Sequence, residues 1–466
     1  MKPRALLAGT LPLVLSACMT GTDYAPPPAP VASNYRAAAA DRAGLSKLWW
    51  KAFDDPVLQD LVETVLDQNL DIEAALARVE RARAVARLTG AALLPSGTIE
   101  FSANRTRESA ETGLASLADR VPSVDYSRTK NAFDVSVGAS WELDLFGGLH
   151  RQKEAATYEY QAAVASGAAM RVTVVADTVD CYLQLRTLQS RLAIAEEQSA
   201  LTAGLERLVQ QRYEAGEASL RELEQARTSS ASVRAIPPVL RGEIEVQLNR
   251  LAVLAGKEPE AERAELDTPR AIPLAPLTDM GTPGDLLRTR PDIVAAERRL
   301  AASHERIAAS LAEYYPKISL SALGGFQAST PSRLFTEPAS ILQAGLGLRW
   351  RLFDFKRIDA EVADARGAER EALAQYRQAV LRAAADVEDA VMLYHTAHER
   401  LLTHRSQLHS AERARTLADQ AWREGEVALS ELIEADRRVL EAREAAAVAR
   451  GDMARATVAA YRATVG

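Results

Sequence analysis

Residues Trp422 to Ala435 read WREGEVALSELIEA, and an earlier stretch, Tyr213 to Ala226, reads YEAGEASLRELEQA. Aligned without a gap, Gly216 meets Gly425, Glu217 meets Glu426, Leu220 meets Leu429, Glu222 meets Glu431, Leu223 meets Leu432 and Ala226 meets Ala435. In each copy an aromatic residue closes a long helical pattern, a glycine follows, and an acidic helix with an apolar stripe begins. A glycine supplies the left-handed backbone that ends one helix and lets the chain reverse. Two long helical hairpins with matched tips are expected, and with them an internally duplicated chain.

The sequence on either side carries the same plan twice. A helix is expected over Trp49–Thr89, opened by Asp54-Asp55-Pro56 and striped by Leu58, Leu61, Val62, Val65 and Leu66. Pro95 closes it. The period then changes: Ile99, Phe101 and Ala103 alternate with polar neighbours, as do Val135, Val137, Ala139, Trp141 and Leu143, with a loop expected over Arg107–Lys130. From His150 to Arg212 the pattern is helical and free of proline, so a helix on the order of 90 Å is expected at 1.5 Å per residue. The return helix from Leu220 towards Ala255 should kink or break at Pro237-Pro238.

In the second half Asp285–Leu311 is expected to be helix, and Tyr314-Tyr315-Pro316 echoes Leu93-Leu94-Pro95. Ile318, Leu320, Ala322, Gly324 and Phe326 form one alternating run; Leu342, Ala344, Leu346, Leu348, Trp350 and Leu352 form another. Lys356–Ala421 is again proline-free and helical. At the place matching Pro237-Pro238 stand Ala446-Ala447. The expected organisation is 1–17 leader, 18–48 tether, 49–260 first repeat, 261–283 linker rich in Pro, Ala and acids, and 284–466 second repeat.

Strands of about ten residues with one apolar and one polar face carry the signature of a transmembrane β-barrel. Glu142, Lys317, Arg349 and Arg351 fall on the polar face, and Trp141 and Trp350 sit near strand ends, where interface aromatics belong. Four strands cannot close a barrel, and lipid tolerates no open sheet edge, so chains must assemble. Two chains would make a packed barrel and three a barrel with room for a pore; the pattern does not choose.

The composition agrees with long helices, because aromatics are only 5% of the residues. A net charge of −7 gives no basic stripe for nucleic acid. With only Cys18 and Cys181, neither a disulfide framework nor a zinc cluster is available. Cys181, in VDCYLQL, reads as a buried thiol packing as a small hydrophobe. Lys2 and Arg4, an apolar run Ala5–Leu15 and small residues Ser16-Ala17 form a secretory leader too short to span a bilayer. No later stretch holds about 18 consecutive apolar residues, so no membrane-crossing helix is expected.

Leu15-Ser16-Ala17-Cys18 resembles a bacterial lipobox, which implies cleavage before Cys18 and attachment of lipid (palmitate) to it. Met19 at the next position resembles the outer-membrane sorting pattern. The lipobox, the stretch LWWKAFDDPVLQDLVETVLDQNLDIEAALARVERARA, the strand ends WELDLFGG and WRLFDF, RPDIVAAERRLAAS and the paired tips together resemble the TolC/OprM outer-membrane efflux factors over nearly the whole mature chain, closest to their lipid-anchored, NodT-type branch.

The resemblance implies an α+β membrane protein: a trimeric transmembrane β-barrel, four strands per chain, continued by a long α-helical periplasmic tunnel. It implies a homotrimer in the cell outer membrane, in contact with its lipid. The partners would be a periplasmic adaptor (membrane fusion protein) and an inner-membrane resistance-nodulation-division pump. No cofactor is implied beyond the lipid on Cys18. By the same resemblance Glu431 and Glu434, three apart on one helix face, occupy positions of a periplasmic gate, where threefold symmetry would focus negative potential. Gln225 stands in the first copy where Glu434 stands in the second, which favours the second hairpin as the gate. Gly216, Glu217, Gly425 and Glu426 would be the tips that touch the adaptor; Phe146 and Phe353 would mark the junctions between barrel and helix.

Enzymatic readings find no support. His395-Thr396-Ala397-His398-Glu399 lacks the metalloprotease spacing, and Ser127-Arg128-Thr129-Lys130 lacks the companion motifs of SxxK enzymes. A lipid-anchored coiled coil would have no use for the alternating strands. A conduit is therefore expected, and the lipobox and the NodT-type resemblance imply that it passes small molecules, with protein or peptide secretion as the alternative.

Overall fold

A computed structural model describes residues 19–27, 48–109, 111, 126–259, 264–277 and 289–465. The leader at 1–17, Cys18 and most of the 18–48 tether lie outside the described residues. In chain order the elements are α1 (Pro56–Gln68), α2 (Leu70–Ala91), β1 (Ser96–Arg107), β2 (Thr129–Leu143), α3 (Gly148–Glu214), α4 (Leu220–Arg234), α5 (Ile236–Leu254), α6 (Pro291–Leu311), β3 (Lys317–Ala328), β4 (Ser340–Arg349), α7 (Phe355–Arg423) and α8 (Leu429–Val465). The chain divides into two compact units, each drawn from both halves of the sequence. One takes Met1–Pro27, Glu80–Gln161 and Arg298–Ala374, and the other takes Pro28–Val79, Ala162–Glu297 and Gln375–Gly466.

The first unit holds a single four-stranded antiparallel sheet in the order β1-β2-β3-β4. Its register places the alternating apolar residues of both halves on one face. From the end nearest the helices, its rows are Leu143/Ile318/Leu348, Trp141/Leu320/Leu346, Gly97/Ala139/Ala322/Ala344, Ile99/Val137/Gly324/Leu342, Phe101/Val135/Phe326/Ser340 and Ala103/Phe133/Ala328. Among the described residues nothing covers the middle of this face: Ile99 is 80% and Leu342 87% exposed. On the other face serines, Thr98, Glu100, Glu142, Asp134, Gln327, Gln343, Lys317 and Arg349 predominate, with Leu323 and Ile341 among them, as the period-2 geometry of a strand requires.

The strands differ from the sequence expectation at their ends. Pairing runs to Arg107↔Thr129, and the Glu108 amide donates to the Arg128 carbonyl, so the expected loop begins and ends further out. At the other end β4 stops at Arg349, leaving Trp350 and Leu352 beyond it. The Arg351 guanidinium there is held by Glu313, Asp354 and Glu361, which turns the chain towards α7. Trp350 Nε1 donates to the Tyr314 carbonyl at 3.0 Å, and Trp141 Nε1 donates to the Leu93 carbonyl at 2.9 Å. Leu93 and Tyr314 head the matched Leu-Leu-Pro and Tyr-Tyr-Pro turns, so the duplication extends to single hydrogen bonds. Phe146 and Phe353 both lie between strand and helix, but Phe146 stacks on Tyr315 at 4.6 Å whereas Phe353 is fully exposed.

A strap just after Cys18 is docked in this unit. The Thr20 hydroxyl donates to the carbonyls of Phe146 and Ala308, and Gly21, at φ +84, approaches Ala308 so closely that a Cβ would sit 2.5 Å from it. Only glycine fits there. Arg151, 4% exposed, joins the strap to the helices by donating to Asp23, Glu154 and Glu305, the last at 2.9 Å and itself 2% exposed.

The second unit is helical. Its largest core gathers Trp49, Trp50, Phe53, Leu58 and Val62 with Val175, Val179, Tyr182 and Leu183 of α3 and Val458 and Tyr461 of α8. Trp49 stacks on Tyr461 at 5.2 Å. Asp55 caps α1 by accepting from the Val57 and Leu58 amides, and its other oxygen accepts from the Tyr182 hydroxyl at 2.5 Å. Arg186 is fully buried, lies over the Tyr182 ring and donates to Gln189 and to the carbonyls of Leu266 and Thr268. The linker is thereby bolted to the middle of α3. Cys181 is buried as expected, its thiol pushed up to about 12 by desolvation.

Three helical details correct or sharpen the sequence reading. The expected Trp49–Thr89 helix is broken at Asn69, whose backbone is extended. Its Oδ1 caps the Asp71 and Ile72 amides while its Nδ2 donates to the Leu254 carbonyl. The first return helix divides at Ala235, with Pro237 and Pro238 inside the first turn of α5, where their missing amide protons cost least; α8 runs unbroken past Ala446-Ala447. Among the described residues one helix, α3, is long and apolar enough by length and composition to cross a membrane, where none was expected. Within it Val175, Val179 and Leu183 pack in the core just described, whereas Val164 is exposed.

Replacing Arg151 with alanine leaves the Glu305 carboxylate buried beside Glu154 with no counter-charge, at a cost of about 3–5 kcal/mol. Burial already holds the Glu305 carboxyl above its ordinary range, opposed by Arg151 and reinforced by Glu154. A carboxyl raised in the folded state favours folding below its unfolded pKa, and that contribution is lost as pH rises through the folded pKa. Thermal unfolding of Arg151→Ala should therefore show its largest deficit at neutral pH and a smaller one in mild acid.

Candidate functional site

The two tips have the same backbone. At the end of α3 the Gly216 amide donates to the Tyr213 carbonyl and the Glu217 amide to the Arg212 carbonyl, with Gly216 at φ +77. At the end of α7 the Gly425 amide donates to Trp422 and the Glu426 amide to Ala421, with Gly425 at φ +80. Both are complete Schellman motifs. Neither glycine has an atom within 4 Å of where a Cβ would lie, so the requirement is conformational and the surface around each is open. Glu217 and Glu426 are exposed beside them.

The restarts differ. α4 begins with a capping box: the Ser219 hydroxyl accepts from the Glu222 amide, and the Glu222 carboxylate accepts from the Ser219 amide at 2.7 Å. Those bonds hold the Glu222 carboxyl below its ordinary range. At the matching place α8 has Ala428, which offers no side-chain oxygen. The Glu431 carboxylate is exposed and has no side-chain partner among the described residues. Glu222 and Glu431 are aligned in sequence but occupied differently.

Glu434 is not a bare carboxylate either. Arg437 grips it with two hydrogen bonds, Nη2 at 2.6 Å and Nε at 2.9 Å, and Arg438 adds one at 3.3 Å, which holds the carboxyl below its ordinary range. In the first copy Gln225, Thr228 and Ser229 stand in these three places. The structure thus puts Glu431 and Glu434 on one helix but leaves only Glu431 free. The sequence reading missed the two arginines; their offsets of three and four from Glu434 were the available signal. Further along, a cavity of about 570 Å³ is lined by Glu197, Glu412, Arg415, Asp436 and Arg443, with Arg415 bound to Asp436 at 2.8 Å. Among the described residues no group of three or more His, Cys, Asp or Glu side chains could hold a metal ion.

A naked apolar sheet face and paired helical tips on one chain are the parts of a barrel-and-tunnel channel, and the similarities of the chain decide the matter. The family model for outer membrane efflux proteins matches residues 61–257 and 282–465. The chain belongs to the outer membrane efflux protein family. It is 30% identical to the pyoverdine export outer membrane protein OpmQ of Pseudomonas putida, over 100% of this chain and 97% of that one. It is 30% identical to nodulation protein T of Rhizobium leguminosarum bv. viciae, over 95% and 89%. The solved outer-membrane channel OprN superposes with a TM-score of 0.85 at 33% identity, covering 96% of this chain and 99% of that one.

The protein is an outer-membrane efflux channel, a transport protein and not an enzyme. It works as a trimer with a periplasmic adaptor and an inner-membrane resistance-nodulation-division pump, and it extends from the outer membrane into the periplasm. Four strands from each of three chains close a barrel of twelve, with the apolar rows towards lipid.

The unequal caps make the two tips unequal in stability. Ser219→Ala should loosen the first turn of α4 by about 1 kcal/mol, and Ala428→Ser should tighten that of α8 by a similar amount. Hydrogen exchange at the Leu220–Leu223 and Leu429–Leu432 amides reads both changes, with protection falling in one variant and rising in the other.

Proposed function

We propose that the second hairpin supplies the periplasmic gate of this efflux channel, through Glu431 and Glu434. The observation that carries the reading is the contrast between the tips. In the first, the acid is consumed in a capping box and the second acid is a glutamine; in the second, Glu431 is free and Glu434 is braced by Arg437 and Arg438. The gate is then a belt of mixed charge in which the arginines set how much of the carboxylate field reaches the channel axis. Gly216, Glu217, Gly425 and Glu426 form the adaptor-contact tips, supported by their open surroundings and matched turns. Cys18 carries the lipid anchor: the lipobox precedes it, and the docked strap that begins at Met19 would hold that anchor beside the sheet. The division into repeats at 49–260 and 284–466, joined by 261–283, is part of the same reading.

In planar bilayers Glu434→Ala should lower the cation-over-anion permeability ratio, and Arg437→Ala should raise it, each by roughly two-fold. Because the arginines hold Glu434 ionised, the wild-type preference should persist into mild acid, while that of Arg437→Ala fades at higher pH. Reversal potentials unchanged in both variants would remove Glu434 from the gate.

Deletion of the gene should raise susceptibility to several small-molecule drugs, and the adaptor should co-purify with the trimer through residues at positions 217 and 426. Unaltered susceptibility across many compounds, with no adaptor recovered, would count against the small-molecule reading in favour of protein or peptide export.

A further inference from the structure

The apolar face of the sheet ends abruptly. Its last fully apolar row is Ala103/Phe133/Ala328, and the two rows beyond it on the same face are Arg105/Asn131 and Arg107/Thr129. These rows lie at the hairpin end of the sheet, opposite the end that joins the helices, which in this family's channels is the extracellular rim. Strand parity keeps Arg105 and Arg107 on the face of Ile99 and Phe101, the lipid-facing side. Both arginines are exposed, and neither has a hydrogen-bond or ion-pair partner among the described residues. Of the other charged groups described at this end, Lys130 is paired with Glu108 and the Arg128 guanidinium donates to the Glu108 carbonyl, while Arg333 and Glu337 lie exposed in the connection before β4.

The height of the apolar band locates the two arginines in the membrane. Six apolar rows span five steps of two residues, on the order of 33 Å along a strand. At the usual strand tilt this covers about 25 Å of bilayer, the height of the apolar band of outer-membrane barrels. Arg105 therefore falls just past the hydrocarbon edge, and Arg107 one step further out. A guanidinium facing lipid at the midplane would be strongly disfavoured, but at the headgroup level that penalty nearly vanishes. What lies at that level is the phosphate layer of the outer leaflet. Arginine presents a planar fork of donors that matches phosphate oxygens. Phe326 and Phe335, edge-to-face at 5.6 Å, give this rim an aromatic pair where an interfacial girdle belongs.

We propose that Arg105 and Arg107 form an outward-facing clamp for the phosphate groups of an anionic glycolipid in the outer leaflet, one clamp per chain and three around the barrel. The clamp sets the height of the barrel rim in the membrane and keeps a ring of phosphorylated lipid attached to the trimer. Its charge complements the lipid surface and no acid of the described chain.

The test compares lipid retention by the purified intact trimer. Wild type, Arg105→Gln/Arg107→Gln, Arg105→Lys/Arg107→Lys and a variant of the exposed acid just before β4, Glu337→Gln, would be extracted from outer membranes, and lipid-bound phosphate per trimer counted by native mass spectrometry. The glutamine pair should lose retained phosphorylated glycolipid by about tenfold or more, the scale expected for two basic contacts on an anionic surface, while remaining trimeric. The lysine pair should keep an intermediate amount, since it retains charge without the fork. Equal retention in wild type and the glutamine pair would overturn the proposal. So would loss of lipid in Glu337→Gln, because the arginines would then act through an acid on the neighbouring chain. A delipidated wild-type trimer is then offered phosphorylated glycolipid in mixed micelles or inorganic phosphate alone. Arginine-dependent thermal stabilisation by the glycolipid only is expected, and equal stabilisation by inorganic phosphate would assign the site to a free anion and overturn the lipid clamp.

Discussion

An unpaired strand edge cannot face hydrocarbon, and this chain has two of them. β1 and β4 each pair on one side only, within a sheet whose apolar face is bare. Each open edge carries a row of amides and carbonyls that water cannot reach once the sheet is in lipid. Closure by copies of the same chain satisfies them all, and the duplicated plan gives each copy two hairpins to contribute. The need for other copies is thus built into the strand count, and the family fixes their number at three.

The same duplication places the helices. In both halves a proline turn precedes a strand and a tryptophan stands at the end of its partner, Trp141 within β2 and Trp350 just past β4, and the two indoles donate to equivalent carbonyls at Leu93 and Tyr314. Each strand pair is thereby tied to the helix that enters it. Within each unit, taken by itself, a buried arginine organises backbone. Arg151 gathers the strap behind Cys18 against α3 and α6; Arg186 gathers the linker against α3. Arg151 is met by the carboxylates of Asp23, Glu154 and Glu305, and the terminal nitrogens of Arg186 by Gln189 and backbone carbonyls, the kind of partners that let a buried guanidinium be tolerated.

Where the halves diverge, function follows. The tips share a backbone, yet one restart is capped by Ser219 and Glu222 and the other is not. One return helix is divided by prolines, and the other is continuous. The second copy carries an acid, Glu434, together with the two arginines that brace it, where the first has neutral side chains. The proposed gate rests on these differences.

Much was legible because it rests on local periodicity. Alternation of apolar residues assigned the sheet face correctly in all four strands, since the side-chain period of a strand admits only two faces. Glycine spacing located both tips, and Pro237-Pro238 marked the break in the first return helix, because these residues act through their own backbones. Cys181 was readable as a core thiol from its neighbours. Other features depended on partners far away in the chain. Where the first helix breaks, Asn69 donates to the Leu254 carbonyl; just past β4, Arg351 is held by Glu313, Asp354 and Glu361; and Arg186 holds the backbone of Glu265, Leu266 and Thr268. A window of residues cannot show which of its polar groups will be satisfied from elsewhere. The sequence alone determined the order of elements, the faces of the strands and the need for other copies. Tertiary structure decided which charges are spent on holding the chain together and which are left free to face a lipid, a partner or a cargo, because that depends on distance and burial and not on sequence spacing.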